Sequence, residues 1–329
     1  MTATPASVLE NVNVVTIGID EELAEEVREF LHSILRTAGA KINLATLDGV
    51  TFAADYHQAL LDLDRGCKTD YKLTPSDDHG VGIAMSTRVL RDGELKTHIV
   101  LSANSIFSML KAKRGDLVVN TVAHECAHVE LDQLYEAAFP GYLLRAQENF
   151  LDGFRTQCML ACWTEFGACW RSAEFGPSEL LAYESGFLPA LEQNRVAANA
   201  AIIAYRTDED IRKVLHEATR LYSDLLKYSA YHLGNLHGLG VDWRTVPSTA
   251  NALADHWFLP YFERLNKACK AIAADFGAWG SSEPFDELRQ LAEDLVSDGG
   301  VYFQQHDDGR VSVDIPLSIE TMPGYLDKE

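Results

Sequence analysis

Hydrophobic and polar positions change period several times along the chain, and each change predicts an element. Residues 12–17 read as a short strand. Leu23, Val27, Phe30, Leu31 and Ile34 recur at helical spacing and predict a helix over 20–38. The stretch 41–54 is strand-like, with Asp48-Gly49 as a tight turn inside it, and 56–63 reads as a short helix before a polar loop at 64–80. Strands are predicted over 81–90 and 95–103, joined by Arg91-Asp92-Gly93-Glu94, a hairpin signal. A short helix follows at 105–111.

From Leu117 to Phe139 no glycine or proline interrupts, and Pro140-Gly141 ends the run. This predicts a long helix with Asp116 as its N-cap. A second long helix is predicted over 142–175, with Gly153 and Gly167 as points where it could break. Beyond it the pattern is helical over 178–204, 207–236, 248–276 and 284–297. The tail, around Asp307-Asp308-Gly309, reads as a hairpin. The expected fold class is α+β: a small antiparallel or mixed sheet packed on two long helices, then a mostly helical half. A boundary at Gly176-Pro177 divides 1–176 from 177–329.

Composition narrows the function classes. The chain has 329 residues, 47% hydrophobic and 23% charged, enough to bury a sizeable core. A formal charge of −21 argues against unassisted binding to nucleic acid or anionic membrane, both of which need a basic face. No run approaches the roughly 20 apolar residues of a membrane span. Residues 1–11 show no cationic-then-apolar export signal. Six cysteines in a chain this long do not make a disulfide scaffold, so reduced thiols and a cytoplasmic location are expected.

Candidate chemistry is concentrated in 121–132, Thr-Val-Ala-His-Glu-Cys-Ala-His-Val-Glu-Leu-Asp. His124 and His128, four apart, share one helix face and can bind a single metal ion. Glu125 is rotated away from the metal but reaches a water bound to it, the arrangement for metal-assisted hydrolysis with zinc. A catalytic zinc takes three protein ligands, and Glu165 is the candidate third. Ala161, Cys162, Ala168 and Cys169 on the turns either side are small and apolar, so its face should lie inside, where a carboxylate needs a cation. The alternative is pairing with Arg155 or Arg171.

Asp132, one turn beyond His128, is either a neighbour of the histidines or a solvated surface charge. Cys158, Cys162 and Cys169 recur at helical spacing and are read as packing residues rather than a metal cluster. Tyr231, His232 and His237 lie in a glycine-punctuated stretch. The favoured reading of the stretch is a helix C-terminus whose histidines suit the dipole and whose glycines end it. The competing reading makes one of them, His232 by preference, a hydrogen-bond donor to the oxyanion of amide hydrolysis.

These residues resemble the zincin superfamily of metallopeptidases, and within it the gluzincin arrangement of H-E-x-x-H followed by a glutamate on the next helix. The resemblance covers about residues 80–175. It implies a zinc-dependent peptidase with Zn2+ held by His124, His128 and Glu165, Glu125 as general base, and a peptide or protein substrate. Leu131 and Leu134 stand where a longer H-E-x-x-H-x-x-G-x-x-H pattern would carry glycine and histidine. Cys169 stands where E-x-x-x-D would carry aspartate. The rival expectations are a non-catalytic, metal-stabilised regulatory or interaction protein, and a zinc hydrolase of a non-peptide amide. An extended groove along 95–103 would favour the peptidase.

Overall fold

A computed structural model describes residues 11–69, 72–75, 82–176 and 183–322, and their architecture is α+β. Strands β1 (Asn13–Ile17), β2 (Leu47–Ala53), β3 (Ala84–Arg91) and β4 (Glu94–Ser102) form a mixed sheet in the order β1-β2-β4-β3. β1 and β4 both run parallel to β2, and β3 is antiparallel to β4. The β3–β4 turn forms as expected: Asp92 (φ 53°) and Gly93 (φ 83°) take the two positive-φ positions of a tight hairpin. β4 lies between β2 and β3, so the strand expected to border a groove is interior. The edges of the sheet are β1 and β3.

Helices α1 (Glu21–Gly39), α2 (Tyr56–Asp62), α3 (Ala103–Lys111) and α4 (Gly115–Ala138) belong with this sheet. α1 buries Ala24, Val27, Leu31, Ile34, Leu35 and Ala38, whereas Leu23 and Phe30 are exposed. The small alanines widen the buried stripe and rotate it away from those two larger residues. Asp48-Gly49 is not a turn but part of β2, at a shift in register. Asp48 accepts from Arg91 Nε and Nη2 (2.9 and 3.0 Å) and pairs with His98 Nδ1 (2.8 Å). A Cβ at Gly49 would stand 3.0 Å from the Asn13 carbonyl, so close packing, not a bend, explains the glycine.

α4 starts at Gly115. Asp116 is therefore inside the first turn, where its charge suits the helix dipole, rather than the N-cap. The second long helix, α5 (Phe150–Ser172), starts later than its apolar pattern predicts, after a 3-10 turn at Tyr142–Leu144. Asn149 Oδ1 accepts from the Asp152 N–H at 2.9 Å, a capping bond that fixes the start. Neither Gly153 nor Gly167 breaks the helix. A Cβ on Gly167 would lie 2.7 Å from Leu131 Cδ2, so this glycine lets α5 approach α4.

The later helices are α6 (Glu184–Asp208), α7 (Ile211–Gly238), α8 (Pro247–Leu253), α9 (Leu259–Ala274) and α10 (Glu283–Asp298), followed by the hairpin β5 (Tyr302–Gln305) and β6 (Val311–Asp314). The single helix expected over 248–276 is two, because Asp255 turns to φ 56° and Pro260 opens α9. Residues 177–182, where a helix start was expected, lie outside the described residues. Trp163 anchors an aromatic core with Phe166, Phe276, Trp279 and Phe285. Chain contacts define two compact units, Met1–Leu143 with Gly167–Glu179, and Leu144–Phe166 with Leu180–Glu329. Residues 144–166 group with the later helices.

α7 runs unbroken through Gly234, where a Cβ would stand 2.2 Å from the Phe166 carbonyl oxygen. Backbone cannot yield as a side chain can. Gly234→Ala should therefore cost about 3 kcal/mol of stability in urea denaturation, whereas Gly280→Ala, in open space, should stay within about 0.5 kcal/mol.

Candidate metal centre

Helical spacing brings the two H-E-x-x-H imidazoles together on α4. Their rings meet edge to face at 4.9 Å, and the two Nε2 atoms are 3.2 Å apart. Tetrahedral zinc with bonds of about 2.05 Å would hold two nitrogens roughly 3.3 Å apart, so this spacing matches the donor pair. Glu165 on α5 completes the group: its carboxylate and the two imidazoles offer ligand atoms all within 4.8 Å of one another. Two imidazole nitrogens and one carboxylate oxygen form a donor set that suits zinc. The cluster could hold a metal ion. Arg171 Nε donates to Glu130 at 2.9 Å, and Arg155 Nε to Glu293 at 2.6 Å.

Glu125 is buried on α4 and held from the sheet. Ser86 Oγ on β3 lies 2.7 Å from its Oε2 and 3.0 Å from its backbone carbonyl. The buried Tyr56 phenol is near enough to feel Glu125: burial, then this carboxylate, pushes its pKa up. Two residues along β3, Arg88 grips Asp132 through Nε (2.9 Å) and Nη2 (2.7 Å), and Thr97 adds a longer bond at 3.3 Å. Asp132 is thus a buried ion-pair partner that ties α4 to the sheet, not a solvated charge. Ser86 and Arg88 escaped the sequence reading. Their signal was two polar residues on the same face of a strand just ahead of the metal helix.

Cys169, in the place of the aspartate of the E-x-x-x-D pattern, lies with Sγ 3.8 Å from His124 Nδ1. The thiol faces the nitrogen opposite the one that meets His128, and so supports the ring orientation a metal needs.

The residues considered for the oxyanion stand on α7 rather than in a loop: Tyr231 and His232 lie in its body and His237 in its last turn, at the helix C-terminus. His232 is fully buried and stacked on Phe187 at 5.6 Å. Its Nε2 is 2.8 Å from Thr249 Oγ1, and the Thr249 hydroxyl donates to Glu184. With that hydroxyl proton committed, His232 donates from Nε2. These contacts make it part of a buried polar chain, outside the His124, His128 and Glu165 group. His237 packs against Phe166 at 5.4 Å. Tyr231 stacks on Tyr183 and Tyr228. It lies between Lys227, which feels the Glu165 charge, and Gly234, which packs on Phe166.

No family model, curated protein or solved structure matches the chain. Its chemistry must be judged from its own geometry. No helix among the described residues is long and apolar enough to cross a membrane.

Two predictions follow from this geometry. Cys169→Ala should weaken zinc binding by about 10-fold with the fold intact, measured by competition with a chromophoric chelator; unchanged affinity would remove the thiol from the site. Burial holds the His232 pKa down at about 4, opposed by the Glu184 charge. Because the folded pKa lies below the ordinary value, the unfolded chain takes up this proton first. Stability should be full above about pH 6.5 and fall as pH drops towards 4, by roughly 3 kcal/mol in all. Urea denaturation of His232→Leu should lack that component.

Proposed function

We propose that the protein is a zinc-dependent peptidase, with His124, His128 and Glu165 as ligands and Glu125 as general base. The observation that carries this reading is the convergence of the two imidazoles with the Glu165 carboxylate, beside a buried glutamate held by Ser86. Zinc bound there would lower the pKa of a coordinated water and polarise the scissile carbonyl. Glu125 takes the water proton and delivers it to the leaving amine. Ser86 fixes the Glu125 carboxylate so that this transfer needs no reorientation. Arg88 and Asp132 hold α4 to β3, and so keep the general base at a constant distance from the strand.

The preference for peptides over other amides rests on β3. It is an edge of the sheet and carries Ser86, so an extended chain adding to it would pass beside Glu125. Its hairpin end is occupied, since Leu90 N–H donates to the Arg65 carbonyl at 2.9 Å. Strand addition therefore belongs to the 84–88 end. Among the described residues no further strand pairs there.

The test is zinc stoichiometry and peptide cleavage measured on the same preparations. Wild type should bind about one equivalent and cleave a mixed peptide library, and Glu165→Ala should lose most of its affinity with its circular dichroism unchanged. Glu125→Gln should keep zinc and lose about 10²–10⁴-fold in turnover. Full turnover in that variant would exclude this mechanism. Zinc bound with no cleavage of any peptide would favour a metal-stabilised interaction protein.

A further inference from the structure

On the face of the sheet opposite Ser86 and Arg88, three side chains stand in a hydrogen-bonded row. The Thr51 hydroxyl on β2 is 2.9 Å from His98 Nε2 on β4, and His98 Nδ1 is 2.8 Å from Asp48 Oδ2. Asp48 also accepts from Arg91 Nε and Nη2, a two-pronged ion pair that favours its charged form. An ionised carboxylate only accepts, so His98 carries its proton on Nδ1 and presents a lone pair at Nε2. The Thr51 hydroxyl is therefore the donor of its bond. A hydroxyl, an imidazole and a carboxylate in that order make an activated nucleophile, which is recognised by geometry and roles rather than by sequence position.

The backbone is shaped for this row. Along β2, Gly49, Thr51 and Ala53 share one face, and a regular strand would turn Asp48 to the other. The register shift between Leu47 and Gly49 re-aims Asp48 towards His98. Gly49 lies opposite His98, and a Cβ there would come within 3.2 Å of the ring carbon Cε1, so the imidazole lies across a position cleared of side chain. Thr51 and His98 keep small exposed edges, 7% and 8%. Opposite Thr51 and Ala53, on β1, stand Val15 and Ile17, both exposed. Neighbouring strands are about 4.8 Å apart, and these two residues together span about 7 Å, the length of a six-carbon acyl chain. A mere tie between strands would not call for the row, since the backbone ladder already joins β2 to β4 and valine would suit the strand at position 51.

We propose that Thr51 is an acyl-accepting nucleophile for activated esters of short apolar acids, with His98 as its general base and Asp48 as the residue that positions the imidazole. The Thr51 oxygen bonds to the ester carbonyl carbon as its proton passes to His98 Nε2. The tetrahedral intermediate then collapses. The bond to the leaving oxygen breaks, and that oxygen takes the proton from His98. The acyl group ends as an ester on Thr51 and a phenol leaves, so atoms, electrons and the proton balance and no oxidant is involved. The acyl chain lies along Val15 and Ile17. A phenol is more acidic than an alkyl alcohol, which makes it the leaving group that one imidazole can release.

The experiment treats the full chain with p-nitrophenyl hexanoate and reads p-nitrophenolate release, intact mass and peptide mapping. Alkaline hydroxylamine releases esters and spares lysine amides, so it separates acylation of Thr51 from surface labelling. A hydroxylamine-labile hexanoyl group is expected at Thr51, formed at least about 100-fold faster than at the same residue in the urea-unfolded chain. Thr51→Ser should keep a labile acyl group, and Thr51→Val should lose it with circular dichroism unchanged. His98→Gln should slow acylation about 100-fold. Val15→Lys, at an exposed position, should slow the hexanoate ester and leave p-nitrophenyl acetate unaffected. The proposal is overturned if folded wild type carries no ester at Thr51, or gains it no faster than the unfolded chain. Equal acylation in a folded His98→Gln also overturns it, because the hydroxyl would then react without its base. The readout needs neither zinc nor peptide cleavage, so it stands or falls apart from the peptidase reading.

Discussion

The close approach of α4 and α5 at Leu131 and Gly167 is the constraint around which the candidate metal site is built. Any side chain at 167 would meet the Leu131 methyls at under 3 Å and push the helices apart. Glu165 stands two residues before that glycine on the same helix, and its carboxylate belongs to the group with His124 and His128 that could hold a metal ion. The same stretch of α5 is pinned again at Phe166, whose carbonyl packs on Gly234 with no room for a β-carbon. Two glycines that look like helix breakers in the sequence thus serve close packing instead.

The electrostatics of the first unit follow one rule. A carboxylate taken out of water is given a cation or a set of donors, since burial without compensation costs several kcal/mol. Glu130 has Arg171 and the Asn43 N–H, Asp132 has Arg88 and Thr97, and Asp48 has Arg91 and His98. These pairs absorb the acids and arginines that would otherwise compete around the histidines. Glu125 is treated differently: its described donor is a neutral hydroxyl, from Ser86, which holds the carboxylate without a counter-charge.

The second unit uses buried polar groups for two ends. His232, Thr249 and Glu184 form a closed chain in a packed interior, with a histidine kept from charging by burial. Cys158 and Ser223 instead open on space between helices. The difference comes from side-chain volume. Phe187 and Phe262 fill the region around His232, while Gly153, Ala161 and Ser223 are among the residues that leave space around Cys158. A chain with a net charge of −21 nevertheless keeps Arg220 and Lys227 beside that space.

Periodicity and motif spacing by themselves determined the α+β class, the β3–β4 hairpin, the long helix carrying His124 and His128, and the suspicion that falls on Glu165. Each is a local property: a helical repeat of 3.6 residues fixes which side chains share a face, and Asp-Gly fixes a tight turn. Tertiary structure alone decided the strand order that makes β4 interior and β3 an edge. It also decided the capture of Asp132 and Glu130 by distant arginines, and whether Gly153, Gly167 and Gly234 break helices or pack them. Burial of His232 in a polar chain with Thr249 and Glu184 belongs to the same class. The physical reason is that glycine carries two opposite meanings in a helix, flexibility and close approach, and charge carries two more, solvation and pairing. In both cases the sign is set by what lies across the gap, and that neighbour is remote in sequence.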